Sequence, residues 1–267
     1  MLVTAGCSFV WGDELDGHDL DPPNHWKHTF THILAHKLGV SYANLGLCGA
    51  CNDQIFRKVV DFFHNNPSEH VTHMVVLWSA WQRDEWVEYQ PARRSLQIKR
   101  EHDVTQFSSL RTSNLYTKKI KEIVDDWYER CYDNRTDIMH TMTKMKMVEM
   151  MCEQKGIKLI QGAFHRRNYS NIMAIMNNIA PNPEAQLHPD MDIDRVPQYK
   201  KWLENSLSSL KPTSKVGLGN SGIMKDLYTL ALENVDVKEF GHPGEQTNLQ
   251  YANLLFENFT KMENGEL

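Results

Sequence analysis

A run of four apolar or β-branched residues, Leu2-Val3-Thr4-Ala5, suits one buried strand and breaks at once into Gly6-Cys7-Ser8-Phe9-Val10-Trp11-Gly12-Asp13-Glu14-Leu15. Comparable runs recur at Ser41–Asn44, His73–Trp78 and Ile157–Gly162, with a weaker one at Val235–Val237. Amphipathic segments separate them, and strands alternating with helices predict an α/β fold with a central parallel sheet covered on both faces, a three-layer α/β/α sandwich. Open sheets of this kind gather their chemistry at the carboxyl ends of the strands. The hydroxyl of Ser8, just past the first strand, is therefore the first candidate nucleophile.

The spacing of apolar residues predicts helices over His25–Leu38, Asp53–Phe63, Leu115–Cys131, Asp137–Gln154, Gln198–Leu207, Ser221–Glu233 and Gln246–Phe259. With 267 residues the chain can bury a substantial core, and the pattern reads as a single domain, 1–267, carrying insertions at about 87–154 and 165–219. Excursions this long cap a site, mediate assembly of copies, or both. The second carries five prolines between Pro181 and Pro212. Met142, Met145, Met147, Met150 and Met151 form a methionine-rich stretch that suits either core packing or an adaptable partner surface.

A formal net charge of -5 gives no general attraction to nucleic acid or to an anionic membrane. No run approaches the roughly 20 apolar residues of a membrane span. The amino-terminal residues lack a basic segment followed by a secretory apolar core, so a cytoplasmic setting is expected. Five cysteines, at positions 7, 48, 51, 131 and 152, do not form the pattern of a disulfide framework.

Near the far end, Glu239-Phe240-Gly241-His242-Pro243-Gly244 precedes the last amphipathic helix. A serine near the start, with an acid and a histidine three residues apart near the end, supplies a nucleophile, a base and an orienting carboxylate. In that scheme His242 takes the Ser8 proton and Glu239 holds the imidazole. His188-Pro189, with Asp190, Asp192 and Asp194 close by, is a competing histidine-acid group.

These blocks resemble those of the SGNH, or GDSL-like, hydrolase family of esterases and lipases. The early block is Gly6-Cys7-Ser8, the middle one Asn44-Leu45-Gly46-Leu47-Cys48-Gly49, and the late one Glu239-Phe240-Gly241-His242-Pro243, with glutamate where the family has aspartate. The family's Gly-x-Asn-Asp block is not matched, because Ser79-Ala80-Trp81-Gln82 follows the third strand. The divergent form of the blocks is most similar to that of phage-encoded members, which adds virion assembly to the roles open to the insertions. The resemblance implies a flavodoxin-like fold and a serine esterase that needs no cofactor. Its substrate would be a small acyl ester, such as an O-acetyl group on a carbohydrate. It also implies backbone N–H groups of Ser8 and Gly49 as oxyanion donors. Asn52 and Gln82 are candidates for the donor that the missing asparagine would supply.

Two other classes stay open. An SGNH-derived glycan-binding or structural module that has lost efficient catalysis is suggested by the missing asparagine. Cys48-Gly49-Ala50-Cys51 is a C-x-x-C motif between a strand and a helix, which suits thiol-disulfide exchange. His25, His28, His32 and His36 form a stripe opposite the apolar face of their helix and read as a solvated face. Asp190-x-Asp192-x-Asp194 lacks the glycine and closing glutamate of a calcium loop, and no metal is expected. Arg93, Arg94, Lys99 and Arg100 form a small basic cluster that suits an anionic glycan or a solvated surface, and Trp78, Trp81 and Trp86, at and beyond the end of the third strand, suit packing of the excursion or a platform for sugar or acyl groups.

Overall fold

A computed structural model describes residues 1–15, 24–79, 85–89, 105–109, 134–163, 197–216, 224–239 and 241–267. The central sheet has four strands, β1 (Leu2–Gly6), β2 (Tyr42–Asn44), β3 (His73–Trp78) and a fourth, β6 (Lys158–Ala163), in the order β2-β1-β3-β6. Every pairing within it is parallel, with Val3 opposite Ala43 and Met74, and Val75 opposite Ile160. Between β3 and β6 in the chain, β4 (Glu85–Tyr89) and β5 (Thr105–Ser109) form a separate antiparallel ribbon in which Val87 pairs with Phe107.

Strands β1 and β3 are buried along their whole length, which is why they read as unbroken apolar runs rather than alternating ones. Several polar groups inside the sheet layer are paired. Thr4 Oγ1 lies 2.8 Å from Thr31 Oγ1, and Trp78 Nε1 donates to Gln161 Oε1 at 3.0 Å. The Gln161 amide in turn donates to the Met145 carbonyl at 2.8 Å. Satisfying these groups matters because each would cost about 1–3 kcal/mol if left buried and unpaired.

The helices are α1 (Ser8–Trp11), α2 (Phe30–Leu38), α3 (Asn52–Asn65), α4 (Asn134–Lys155), α5 (Pro197–Ser209), α6 (Leu227–Glu233) and α7 (Glu245–Glu263). The chain passes from β1 to β2 in one direction across the sheet and from β2 to β3 in the other. Right-handed crossovers therefore put α2 and α3 on opposite faces. Helices α6 and α7 join α2 in one layer, while α4 and α5 join α3 in the other.

Several boundaries differ from the sequence expectation for local reasons. The helix expected over His25–Leu38 is split, because Thr29 adopts an extended backbone and its side chain caps α2 by accepting from His32 N–H. A 3₁₀ turn, Asn24–His28, precedes it. The weak strand expected at Val235–Val237 is a turn: Val235 is 91% exposed and left-handed, at φ 52°. Val237 makes only an isolated antiparallel bridge to Pro243. The position beside β6 is taken instead by Val216, bridged in parallel to Gly162.

Helix α4, which the sequence boundaries put inside the first insertion, packs against the central sheet beside α3, with Ile138, Met142, Met145, Val148 and Cys152 buried. Met147 and Met150 on its other side are exposed. The helix expected at Leu115–Cys131 and the basic cluster lie outside the described residues. Among the described residues no helix is long and apolar enough to cross a membrane.

Candidate active site

Strand β1 lies between β2 and β3, so the direction of chain winding reverses at its carboxyl end. Such a switch point is the usual ligand position in open α/β sheets. Gly6 closes the strand where a Cβ would sit 2.4 Å from Val10 Cγ2 and 2.9 Å from the Leu77 carbonyl. Its missing side chain lets α1 start directly against β3. Cys7 is the extended residue before α1, and its carbonyl accepts from Val10 and Trp11 N–H at 3.0 and 3.1 Å.

Helix α1 lasts one turn. Gly12, left-handed at φ 91°, ends it by donating to the Ser8 carbonyl at 2.9 Å, and Asp13 N–H donates to the same carbonyl at 3.1 Å. Glu14 is itself left-handed at φ 64°, an arrangement that costs about 1–2 kcal/mol for a residue bearing a Cβ. The chain thus doubles back just after the strand and carries the carboxylates of Asp13 and Glu14 to the level of Ser8.

The histidine arrives on a turn fastened at several points. His242 carbonyl accepts from Lys238 N–H at 2.8 Å, and Gly241, at φ 90°, donates to the Lys238 carbonyl at 3.0 Å. Asp236 Oδ2 accepts from Thr247 N–H at 2.7 Å in the first turn of α7. A side chain on Gly244 would put Cβ 2.0 Å from Asp236 Oδ1, so this cap requires glycine there. The Asn248 amide donates to the carbonyls of Pro243 and Gly244, at 3.2 and 2.9 Å, and its oxygen accepts from Phe30 N–H at 3.0 Å. Helices α2 and α7 therefore hold the turn from beneath.

These two segments bring Ser8 and His242, 234 residues apart, to a hydrogen bond of 2.8 Å between Oγ and Nε2. On the far side of the ring, Nδ1 lies 2.5 Å from Glu14 Oε2. Both the His242 and Glu14 side chains are 14% exposed, so this pair is largely withdrawn from solvent. The Phe9 ring packs on the imidazole at 5.2 Å between centroids. Asp13 Oδ2 stands 3.7 Å from Nε2, with its side chain 35% exposed. The line Ser8–His242–Glu14 has the connectivity that lets a hydroxyl lose its proton to an imidazole oriented by a carboxylate.

Glu239, the acid expected from the late block, is exposed on the turn before His242. Among the described residues no hydrogen bond or ion pair joins it to the imidazole, and Glu14 occupies the place beside Nδ1. Gly49 lies at φ 75° in the turn between β2 and α3. That segment is tied to the end of β1 by Leu47 N–H donating to the Gly6 carbonyl at 3.1 Å. It also runs so close to α1 that a Cβ on Gly46 would sit 2.4 Å from Trp11 N.

Asn52, suggested as an oxyanion donor, has its side chain bonded between three elements. Its amide nitrogen donates to the Ser79 carbonyl at 3.3 Å and to Thr141 Oγ1 at 3.0 Å, while its oxygen accepts from Ser79 N–H at 2.7 Å. The side chain is spent joining α3, the end of β3 and α4. Gln82, Trp81 and the His188–Asp194 group lie outside the described residues.

The two cysteines of the C-x-x-C motif are unbridged. Partial burial, and then the neighbouring Asp13 carboxylate that its thiol hydrogen-bonds, push the Cys48 pKa up to about 12. Cys51 is buried at the N-cap of α3. Thiolate chemistry is suppressed at Cys48 by that shift. Among the described residues, no three His, Cys, Asp or Glu side chains come together as a metal-binding group.

The sequence matches no protein-family model and no curated protein. The chain is similar to two solved structures whose names place them in the G-D-S-L lipolytic family. One, from Desulfitobacterium hafniense DCB-2, is 10% identical with a TM-score of 0.45, over 96% of this chain and 98% of that one. The other, from Veillonella parvula DSM 2008, is 14% identical with a TM-score of 0.45, over 97% of this chain and 98% of that one.

Proposed function

We propose that this chain is a serine ester hydrolase of SGNH type that works through Ser8, His242 and Glu14. The observation that carries the proposal is the continuous hydrogen-bonded line from Ser8 Oγ through both imidazole nitrogens to the Glu14 carboxylate. It stands at the switch point of a parallel sheet, where such folds bind small molecules. His242 Nε2 takes the Ser8 proton as Oγ attacks the ester carbonyl, and returns it to the departing alkoxide. Water, activated by the same nitrogen, then releases the acid from the acyl-enzyme. Glu14 keeps the remaining ring proton on Nδ1 and stabilises the imidazolium formed in each half-reaction.

The tetrahedral intermediate requires donors aimed at its oxygen. The Ser8 backbone N–H belongs to the first turn of α1, where amides have no intrahelical acceptor. With the N–H of Gly49, it makes the proposed pair of donors. The substrate class we assign is a small acyl ester, an O-acetylated carbohydrate first among them. Hydrolysis of p-nitrophenyl acetate and of acetylated oligosaccharides, by wild type and Ser8→Ala, tests the assignment. Turnover lost in the folded variant supports it. Equal rates in both, or none in either, reject it, and the second result favours the binding-module alternative.

A further inference from the structure

Asp13 has no part in the hydrogen-bonded line, yet it stands on the side of the imidazole where the chemistry takes place. Glu14 faces Nδ1, whereas Asp13 Oδ2 lies 3.7 Å from Nε2, the nitrogen bonded to Ser8 Oγ. In ester hydrolysis Nε2 hands its proton to the leaving oxygen, which must come within about 3 Å of it. The leaving oxygen and the Asp13 carboxylate share that nitrogen, so they stand at most about 7 Å apart.

The carboxylate is held there. Its backbone N–H is anchored on the Ser8 carbonyl, and its side chain receives the Cys48 thiol hydrogen bond. Among the described residues it pairs with no lysine or arginine, and 35% of the side chain remains open to whatever enters the site.

We propose that Asp13 selects the charge of the leaving alcohol, favouring esters of alcohols that carry an ammonium group and disfavouring those that carry a phosphate, sulfonate or carboxylate. This rests on the hydrolase assignment. A fixed carboxylate about 7–10 Å from a substrate charge, in partly solvated surroundings, changes reactivity by roughly two- to fivefold for each sign of charge. The effect works by attraction in one case and by repulsion in the other.

The test uses three acetate esters matched in size: acetylcholine, 3,3-dimethylbutyl acetate and 2-acetoxyethanesulfonate. kcat/KM is measured for the wild type, Asp13→Asn and Asp13→Glu. Wild type is expected to prefer the cationic over the anionic ester by about tenfold. With each rate divided by that ester's rate of hydroxide hydrolysis, Asp13→Asn, which keeps the shape and loses the charge, should bring that ratio close to one, and Asp13→Glu should restore most of it. A merely structural Asp13 would lower all three rates together and leave their ratio unmoved, which would overturn the proposal while the hydrolase assignment stands. A folded wild type that cleaves none of the esters would overturn both.

Discussion

One carboxylate oxygen of Glu14, Oε2, meets His242 twice: it lies 2.5 Å from Nδ1 and accepts from the His242 backbone N–H at 3.2 Å. A single acid thus fixes both the ring and the main chain that carries it. Two segments 228 residues apart are locked together at the site.

The acid assignment gives a direct contrast. Glu14→Ala should lower kcat by about 10³- to 10⁴-fold, by analogy with the loss of the orienting acid in serine triads. Glu239→Ala, an exposed change, should leave kcat within about twofold, as surface substitutions generally do. Steady-state kinetics on the two purified variants would separate the roles, and the reverse ranking would return the acid to the late block.

Asn52 should act on stability. Replacing it with alanine removes three buried hydrogen bonds joining α3, β3 and α4. The cost should be about 2 kcal/mol and a Tm lower by about 5 °C. A thermal melt checks this. An unchanged Tm with a hundredfold fall in kcat would instead mark Asn52 as an oxyanion donor.

For Cys48, a pKa near 12 leaves about one thiol in ten thousand ionised at pH 8. Iodoacetamide should therefore modify it far more slowly than free cysteine, although it is exposed. Ester turnover should survive Cys48→Ser combined with Cys51→Ala. Rapid alkylation at pH 8, or activity that follows the cysteines, would favour thiol-disulfide chemistry.

At the opposite end of the strands, burial and then the charge of Lys158 hold the His73 imidazole below its ordinary 6.5, against the opposing pull of Glu263. The unfolded chain then binds a proton that the folded one does not, so stability is full above about pH 6.5 and falls as the pH drops below it. Urea unfolding at pH 7.5 and 5.5 should show the loss on acidification. His73→Gln should make the dependence shallower, and an identical slope in the variant would exclude His73 as a source of the effect.

Much of the frame is legible in the sequence because its signals are local. The buried strands Leu2–Gly6 and His73–Trp78 are runs of apolar and β-branched residues, and a strand of a parallel sheet covered on both faces can be little else. Ser8 and His242 stand out because each follows or precedes a strong element boundary. Glu14 does not, since in one dimension it is simply a loop acid after a strand. What brings it to the imidazole is a helix stopped after one turn by Gly12, followed by a second left-handed residue. Its signal lies in Gly12-Asp13-Glu14, whereas the late block of the resembled family puts the acid three residues before the histidine, at Glu239. Val235–Val237 reads as a strand for the related reason that β-branched residues suit strands, while the backbone turns there at φ 52°.

The central claim is that Ser8 is an activated nucleophile, and labelling with a fluorophosphonate probe followed by peptide mass spectrometry tests it most directly. The account predicts one adduct, on Ser8, that is lost in Ser8→Ala and His242→Ala and much slowed in Glu14→Ala, with all three variants folded by circular dichroism. A folded wild type that takes up no probe, or labelling that persists in Ser8→Ala, would contradict it.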